Sequence, residues 1–141
     1  MQQTKRVPSW TVSANANIPN PTYAGRHLVA DFWHGRDIES ERELKRLLKK
    51  AAEVACSKAL KISIFKFSPQ GITGVILLAE SHIAIHTWPE IGYMAVDVFT
   101  CGAQSRPREA LEFLKNELQP KESEIREMKR GFHKSQNLSA S

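Results

Sequence analysis

The chain has 141 residues, 41% of them hydrophobic and 25% charged, with a net charge of +5; this suits one globular domain. No apolar run approaches the roughly 18 residues of a membrane span, since the longest, Val75–Ala79, is only strand length. The charge argues against nucleic-acid binding, because it sits at the ends: residues 25–120 carry 13 bases against 12 acids, and a basic binding face would lie in the body.

Residues 1–24 hold three prolines and no acid, and their lack of apolar periodicity predicts a disordered extension. Arg26–Trp33 reads as a strand ended by Gly35 and Asp37. Ser40 and Glu43 form a capping box, the serine oxygen accepting an early helix N–H and the carboxylate reaching back. Leu44, Leu47, Leu48, Ala51 and Ala55 follow at helical spacing, and Glu41 can pair with Lys45 one turn on. Cys56, near the helix end, is expected to be a small buried hydrophobe.

Lys61–Phe67 is a second strand, rich in β-branched and aromatic residues. Ser68–Gly71 is a turn, and Ile72–Ala79 a third strand in which Gly74 marks a bulge or a close approach. Glu80–Cys101 is a hairpin around Trp88-Pro89-Glu90. Ser105 is expected to cap a helix with Pro107 in its first turn. Ala110, Leu111, Leu114 and Leu118 form that helix's apolar stripe, and Pro120 stops it. Ser123–Lys129 is a last strand, and residues 131–141 read as a flexible tail.

The order β-α-β-β-β-β-α-β predicts an α+β fold, a two-layer sandwich of a largely antiparallel sheet with helices on one face. Ile62, Ile64, Val75 and Leu77 offer more apolar surface than one helical layer needs. A chain this small gains from covering that surface with a copy of itself, so the sheet faces are expected to pair in a dimer (αββα). Two widely separated cysteines without a signal peptide predict free thiols and a cytoplasmic setting.

The chemistry is concentrated between Glu80 and Gly102, which hold a serine, two histidines, three acids and a cysteine. His82 and His86 have the spacing of two metal ligands on a helix, yet Ile83-Ala84-Ile85 favours a strand. Ala79-Glu80-Ser81-His82-Ile83 is not a serine-hydrolase elbow. A thiol hydrolase using Cys101 and His86 is chemically open, and so is a plain set of satisfied polar groups at a sheet edge.

As a whole, Glu80-Ser81-His82-Ile83-Ala84-Ile85-His86-Thr87-Trp88-Pro89-Glu90, followed by Ala95-Val96-Asp97-Val98-Phe99-Thr100-Cys101-Gly102, closely resembles the prokaryotic S-adenosylmethionine decarboxylase proenzyme family. Gly25-Arg26-His27-Leu28-Val29 and Phe67-Ser68-Pro69-Gln70-Gly71 resemble it too, in the same order. The resemblance implies a decarboxylase domain over residues 25–130, with no metal and no pyridoxal phosphate. Its cofactor would be a pyruvoyl group generated from Ser81 by cleavage after Glu80, leaving a β chain ending at Glu80 and an α chain starting at position 81. Ser81 then forms the Schiff base with substrate. His86 matches the proton acceptor in processing, and Cys101 the proton donor in catalysis. Phe67, Thr73 and Glu90 match substrate-binding positions: Phe67 the aromatic on adenine, Glu90 the acid beside the nucleoside, and Thr73 a place where relatives often have serine. Such enzymes are homo-oligomers of processed chains with shared sites at a dimer interface. They supply decarboxylated S-adenosylmethionine for spermidine synthesis.

Ser81 and His86 are five residues apart, so a straight strand points them to opposite faces. They meet only if the chain bends or if His86 serves the other subunit. Lys66 stands where many relatives carry arginine, and Ala84 replaces a common threonine. Relatives of the same kind act on arginine or ornithine, which is the alternative substrate reading. A small α+β RNA-binding module is the alternative of a different class, although the strand around Lys66-Phe67 lacks paired aromatics on a basic sheet.

Overall fold

The computed structural model describes residues 23–132. The expected disorder of the extension and flexibility of the tail fall largely on residues 1–22 and 133–141, outside the described residues. The expected α+β architecture is observed. Six strands run β1 (Gly25–Trp33), β2 (Lys58–Lys66), β3 (Ile72–Ala79), β4 (Ser81–Trp88), β5 (Tyr93–Cys101) and β6 (Glu122–Arg130). Two helices, α1 (Glu41–Val54) and α2 (Pro107–Leu118), interrupt them. The sheet order is β2-β3-β4-β5-β1-β6, and all neighbours are antiparallel.

Strand alternation sorts the side chains into two faces. Leu28, Phe32, Ile72, Ile76, Ile83, Ile85, Val96 and Val98 point to one face and are buried. Leu44, Leu47, Leu48 and Ala51 of α1 and Ala110, Leu111, Leu114 and Leu118 of α2 close over them. Each fully buried leucine or isoleucine contributes roughly 1.5–3 kcal/mol, so this one-sided core fixes which face is left open.

Ser40 caps α1 as expected, its Oγ accepting the Glu43 N–H at 3.1 Å. The carboxylate of Glu43 does not return to Ser40; it pairs with Arg36 and accepts the Glu39 N–H at 3.4 Å. Nor do Glu41 and Lys45 pair among the described residues; Lys50 and Glu53 do. At Gly74 the reading of a close approach holds: an added Cβ would lie 2.6 Å from Leu44 Cδ2 and 3.1 Å from Leu48 Cδ1. The irregularity falls in β2 instead, between Ala59 and Lys61.

Three expectations are corrected. Cys56 is exposed, not buried; α1 ends at Val54, and the chain reverses through Cys56 at φ 54. Ser105 does not cap α2. Arg106 occupies that position, at φ −126 and ψ 68, outside the helical region that a following proline disfavours, and Ser105 Oγ donates to Gly102 O at 2.8 Å instead. Ile62 and Ile64 are not on the open face. They stand opposite Ile76 and Gly74 and pack on the helix-side core. Val75 and Leu77 are on the open face, joined there by Phe65 and Trp88, and Phe65 is 62% exposed.

Candidate active site

The chain turns from β3 into β4 through a single residue, Glu80. Ser81 takes up the sharp reversal with φ 95, a region that costs a residue with a Cβ about 1–3 kcal/mol. The carbonyl of Glu80 and the hydroxyl of Ser81 thus belong to a strained backbone unit at the head of β4. Because β4 and β5 are antiparallel, Ser81 lies opposite Thr100. That register brings Ser81 Oγ to 3.6 Å from Cys101 Sγ across 20 residues of sequence.

Gly25 faces Cys101 from β1. A Cβ there would sit 2.9 Å from the sulfur and 2.7 Å from Thr100 O, so glycine leaves the thiol its space. The sequence marks Gly25 only as the first residue of the segment Gly25–Val29, just ahead of the strand expected at Arg26–Trp33. Burial pushes the Cys101 thiol up from its ordinary pKa. The Glu80 carboxylate adds to this by charge and by hydrogen bonding, while the Ser81 hydroxyl opposes it. A raised thiol pKa keeps the proton on sulfur through neutral pH, as a proton donor requires. In Glu80→Gln the thiol loses that negative neighbour, so the alkaline limb of kcat is expected to move to lower pH. An unmoved limb in the pH profile would contradict this.

The remaining sequence candidates gather at the opposite end of the open face. His86 Nδ1 is 3.0 Å from Thr73 Oγ1 across the β3–β4 pair. Phe67, 48% exposed, packs edge-on to Phe65 with ring centroids 4.9 Å apart. Gln70 Nε2 donates to Glu90 Oε2 at 3.3 Å, tying the Phe67–Gly71 turn to the 3-10 turn Pro89–Ile91. Trp88 is stacked on Tyr93 at 5.2 Å, and Tyr93 on Trp33 at 4.6 Å. This aromatic row was not anticipated from the sequence, because only the register of three strands assembles it. Burial, then the acceptor Asp31, pushes the Tyr93 hydroxyl up to about 12.

The structure therefore brings Ser81, Glu80 and Cys101 together, and separately Phe67, Thr73, His86 and Glu90. It does not bring His86 to Ser81. β4 runs from Ser81 to Trp88 in unbroken register with β5, and five residues of strand span about 16 Å. The bend that would join them within one chain is absent. The two histidines do not form a metal pair: His82 lies beside Phe99 and His86 beside Thr73. Among the described residues no group of three or more His, Cys, Asp or Glu is placed to hold a metal ion. No helix among them is long and apolar enough to cross a membrane.

A pyruvoyl group would have to be made from a serine at a reactive turn, next to a protonated acid. Ser81, by its φ of 95 and its contact with Cys101, fits that requirement.

Known proteins resemble this chain over most of its length. The family model described as S-adenosylmethionine decarboxylase matches residues 26–131. An S-adenosylmethionine decarboxylase proenzyme of Methanococcus maripaludis is 38% identical over 77% of this chain and 90% of its own length. One from Pelotomaculum thermopropionicum is 45% identical over 78% of this chain and 89% of its own. The crystal structure of the adenosylmethionine decarboxylase from Aquifex aeolicus superposes with a TM-score of 0.74 at 36% identity, covering 80% of this chain and 95% of that one.

Proposed function

The chain belongs to the S-adenosylmethionine decarboxylase family, and from that premise we propose that it is a self-processing, pyruvoyl-dependent decarboxylase of S-adenosylmethionine. The observation that carries the reading is the strained Ser81, which follows Glu80 at a one-residue turn and touches Cys101.

In the first step Ser81 Oγ bonds to the Glu80 carbonyl carbon, and the Glu80–Ser81 C–N bond breaks to leave an ester and a free amine. His86 takes the proton from Ser81 Cα. The Cα–Cβ double bond forms as the ester oxygen departs, releasing the new Glu80 carboxylate. Water then replaces the amine nitrogen, which leaves as ammonia. The β chain so made ends at Glu80 and the α chain begins at position 81. The terminal group formed there supplies an electrophilic carbonyl that takes a substrate amine and accepts the electron pair left by departing CO2. Cys101 keeps its proton until the substrate carbon needs it, then donates it there. Phe67 stacks on the adenine, Glu90 accepts hydrogen bonds from the nucleoside, and Thr73 orients His86 through the 3.0 Å contact.

The open sheet face supports pairing with a second copy. Phe65, Leu77, Trp88 and Met128 are exposed large hydrophobes, and all four lie on that face by register. A face-to-face dimer would bring His86 of one copy to Ser81 of the other. Free thiols at Cys56 and Cys101 support a reducing, cytoplasmic setting. The product would supply aminopropyl groups for spermidine synthesis.

The substrate is tested by CO2 release from S-adenosylmethionine, arginine and ornithine offered separately. Release from S-adenosylmethionine alone is expected. Preferential release from arginine or ornithine would overturn the substrate assignment and leave the self-processing chemistry standing.

A further inference from the structure

We infer that His27 is the residue that receives the substrate's carboxylate, through an Nε2–H donor that the described residues leave unpaired. The inference rests on the reading of position 81 as the point of substrate attachment.

His27 is on the open face of β1, opposite Phe99, and Phe99 is in turn opposite His82. Its ring packs on Phe99 at 5.2 Å and edge-on to His82 at 6.2 Å. Arg130 Nη1 lies 3.4 Å from His27 Nδ1. A guanidinium only donates, so Nδ1 accepts and the proton of the neutral ring is on Nε2. That Nε2 is buried and has no hydrogen-bond partner among the described residues. Burial and the neighbours Arg130 and His82 lower the His27 pKa, against the pull of Asp97, so the ring is a neutral donor. Buried donors without acceptors are rare, and this one stands beside the group proposed to do the chemistry.

The distances suit a carboxylate. Cys101 is diagonal to His27 across the β1–β5 pair, a relation that separates neighbours by about 7–8 Å, and their Cβ atoms by somewhat less. A substrate Cα within reach of the thiol proton thus has its carboxylate within reach of the imidazole. His82, edge-on to His27, follows Ser81 directly, so the His27 ring stands beside the residue next to the proposed attachment point.

The chemistry favours a neutral donor over a cation. Charge leaves the carboxylate as CO2 forms, so a direct ion pair would hold the ground state more tightly than the transition state and slow the reaction. A neutral N–H orients the group at less cost. Arg130 stays one step back, over the Phe99 ring at 5.0 Å, and fixes the tautomer.

The test compares two ligands that share the amine and differ in the carboxylate: S-adenosylmethionine and its decarboxylated product. His27→Phe keeps the ring packing and removes the donor; His27→Gln retains an N–H. Cleavage is read by intact mass, and binding by reductive trapping of each ligand on the α chain, counted by mass. His27→Phe is expected to cleave, to need about tenfold or more S-adenosylmethionine for half-trapping, and to trap product as wild type does. His27→Gln is expected to recover part of the loss. Equal weakening for both ligands, or none for either, would overturn the inference. So would failure of either variant to cleave, which would place His27 in processing. A wild-type protein that never cleaves would instead defeat the reading of position 81 itself.

Discussion

Ser81→Ala is expected to remain one continuous chain and to release no CO2 from any substrate. The variant lacks the only oxygen that can attack the Glu80 carbonyl from within the turn, so neither the ester nor anything after it can form. The loss should be total, not graded, because the group that takes the substrate amine would never exist. The fold should survive. The side-chain contact of Ser81 is with Cys101 at 3.6 Å, and removing one hydroxyl from a partly exposed site changes stability by about 1 kcal/mol or less. Unchanged circular dichroism with an uncut chain is the expected pair of results. Full activity of the alanine variant would be incompatible with the scheme.

The second large effect concerns the separation of His86 from Ser81. With about 16 Å of straight strand between them, the histidine of one chain cannot reach the serine of the same chain. Purified alone, Ser81→Ala should be uncut, and His86→Ala should cut about 10²–10⁴-fold more slowly, the range for losing a general base. Co-expressed, the two variants should regain cutting in the Ser81-containing chain, because a mixed dimer pairs its serine with the intact His86 of the other chain. Up to half the wild-type sites should be restored. If the pair acts within one chain, the mixture stays as slow as His86→Ala alone. Time courses of fragment appearance, followed by gel or mass, separate the two cases.

Much of the fold was legible because periodicity and end signals agreed. The Leu44–Ala51 stripe behind Ser40 reads as a helix buried on one side, and the short apolar run Val75–Ala79, bounded by turns, as a strand. Parity, however, does not say which way a strand faces. Ile62 and Ile64 were grouped with Val75 and Leu77 because the residues alone do not give the register between the two strands; pairing with Ile76 and Gly74 puts them with the helices. Cys56 was misjudged because chain reversal overrides the average burial of its residue type. Within the site, Ser81 and Cys101 were legible as partners since a hairpin folds them together. His27 was not: its neighbours Phe99 and Arg130 come from strands far along the chain, and an unpaired nitrogen is a property of the packed sheet alone.

The most direct measurement is the intact mass of the purified wild-type protein, taken with and without a hydrazine that labels ketones. Two fragments are expected, residues 1–80 and an α chain from position 81 whose first residue has lost its amine and gained a carbonyl, with the label on the second fragment only. A single unlabelled mass for all 141 residues would contradict the account.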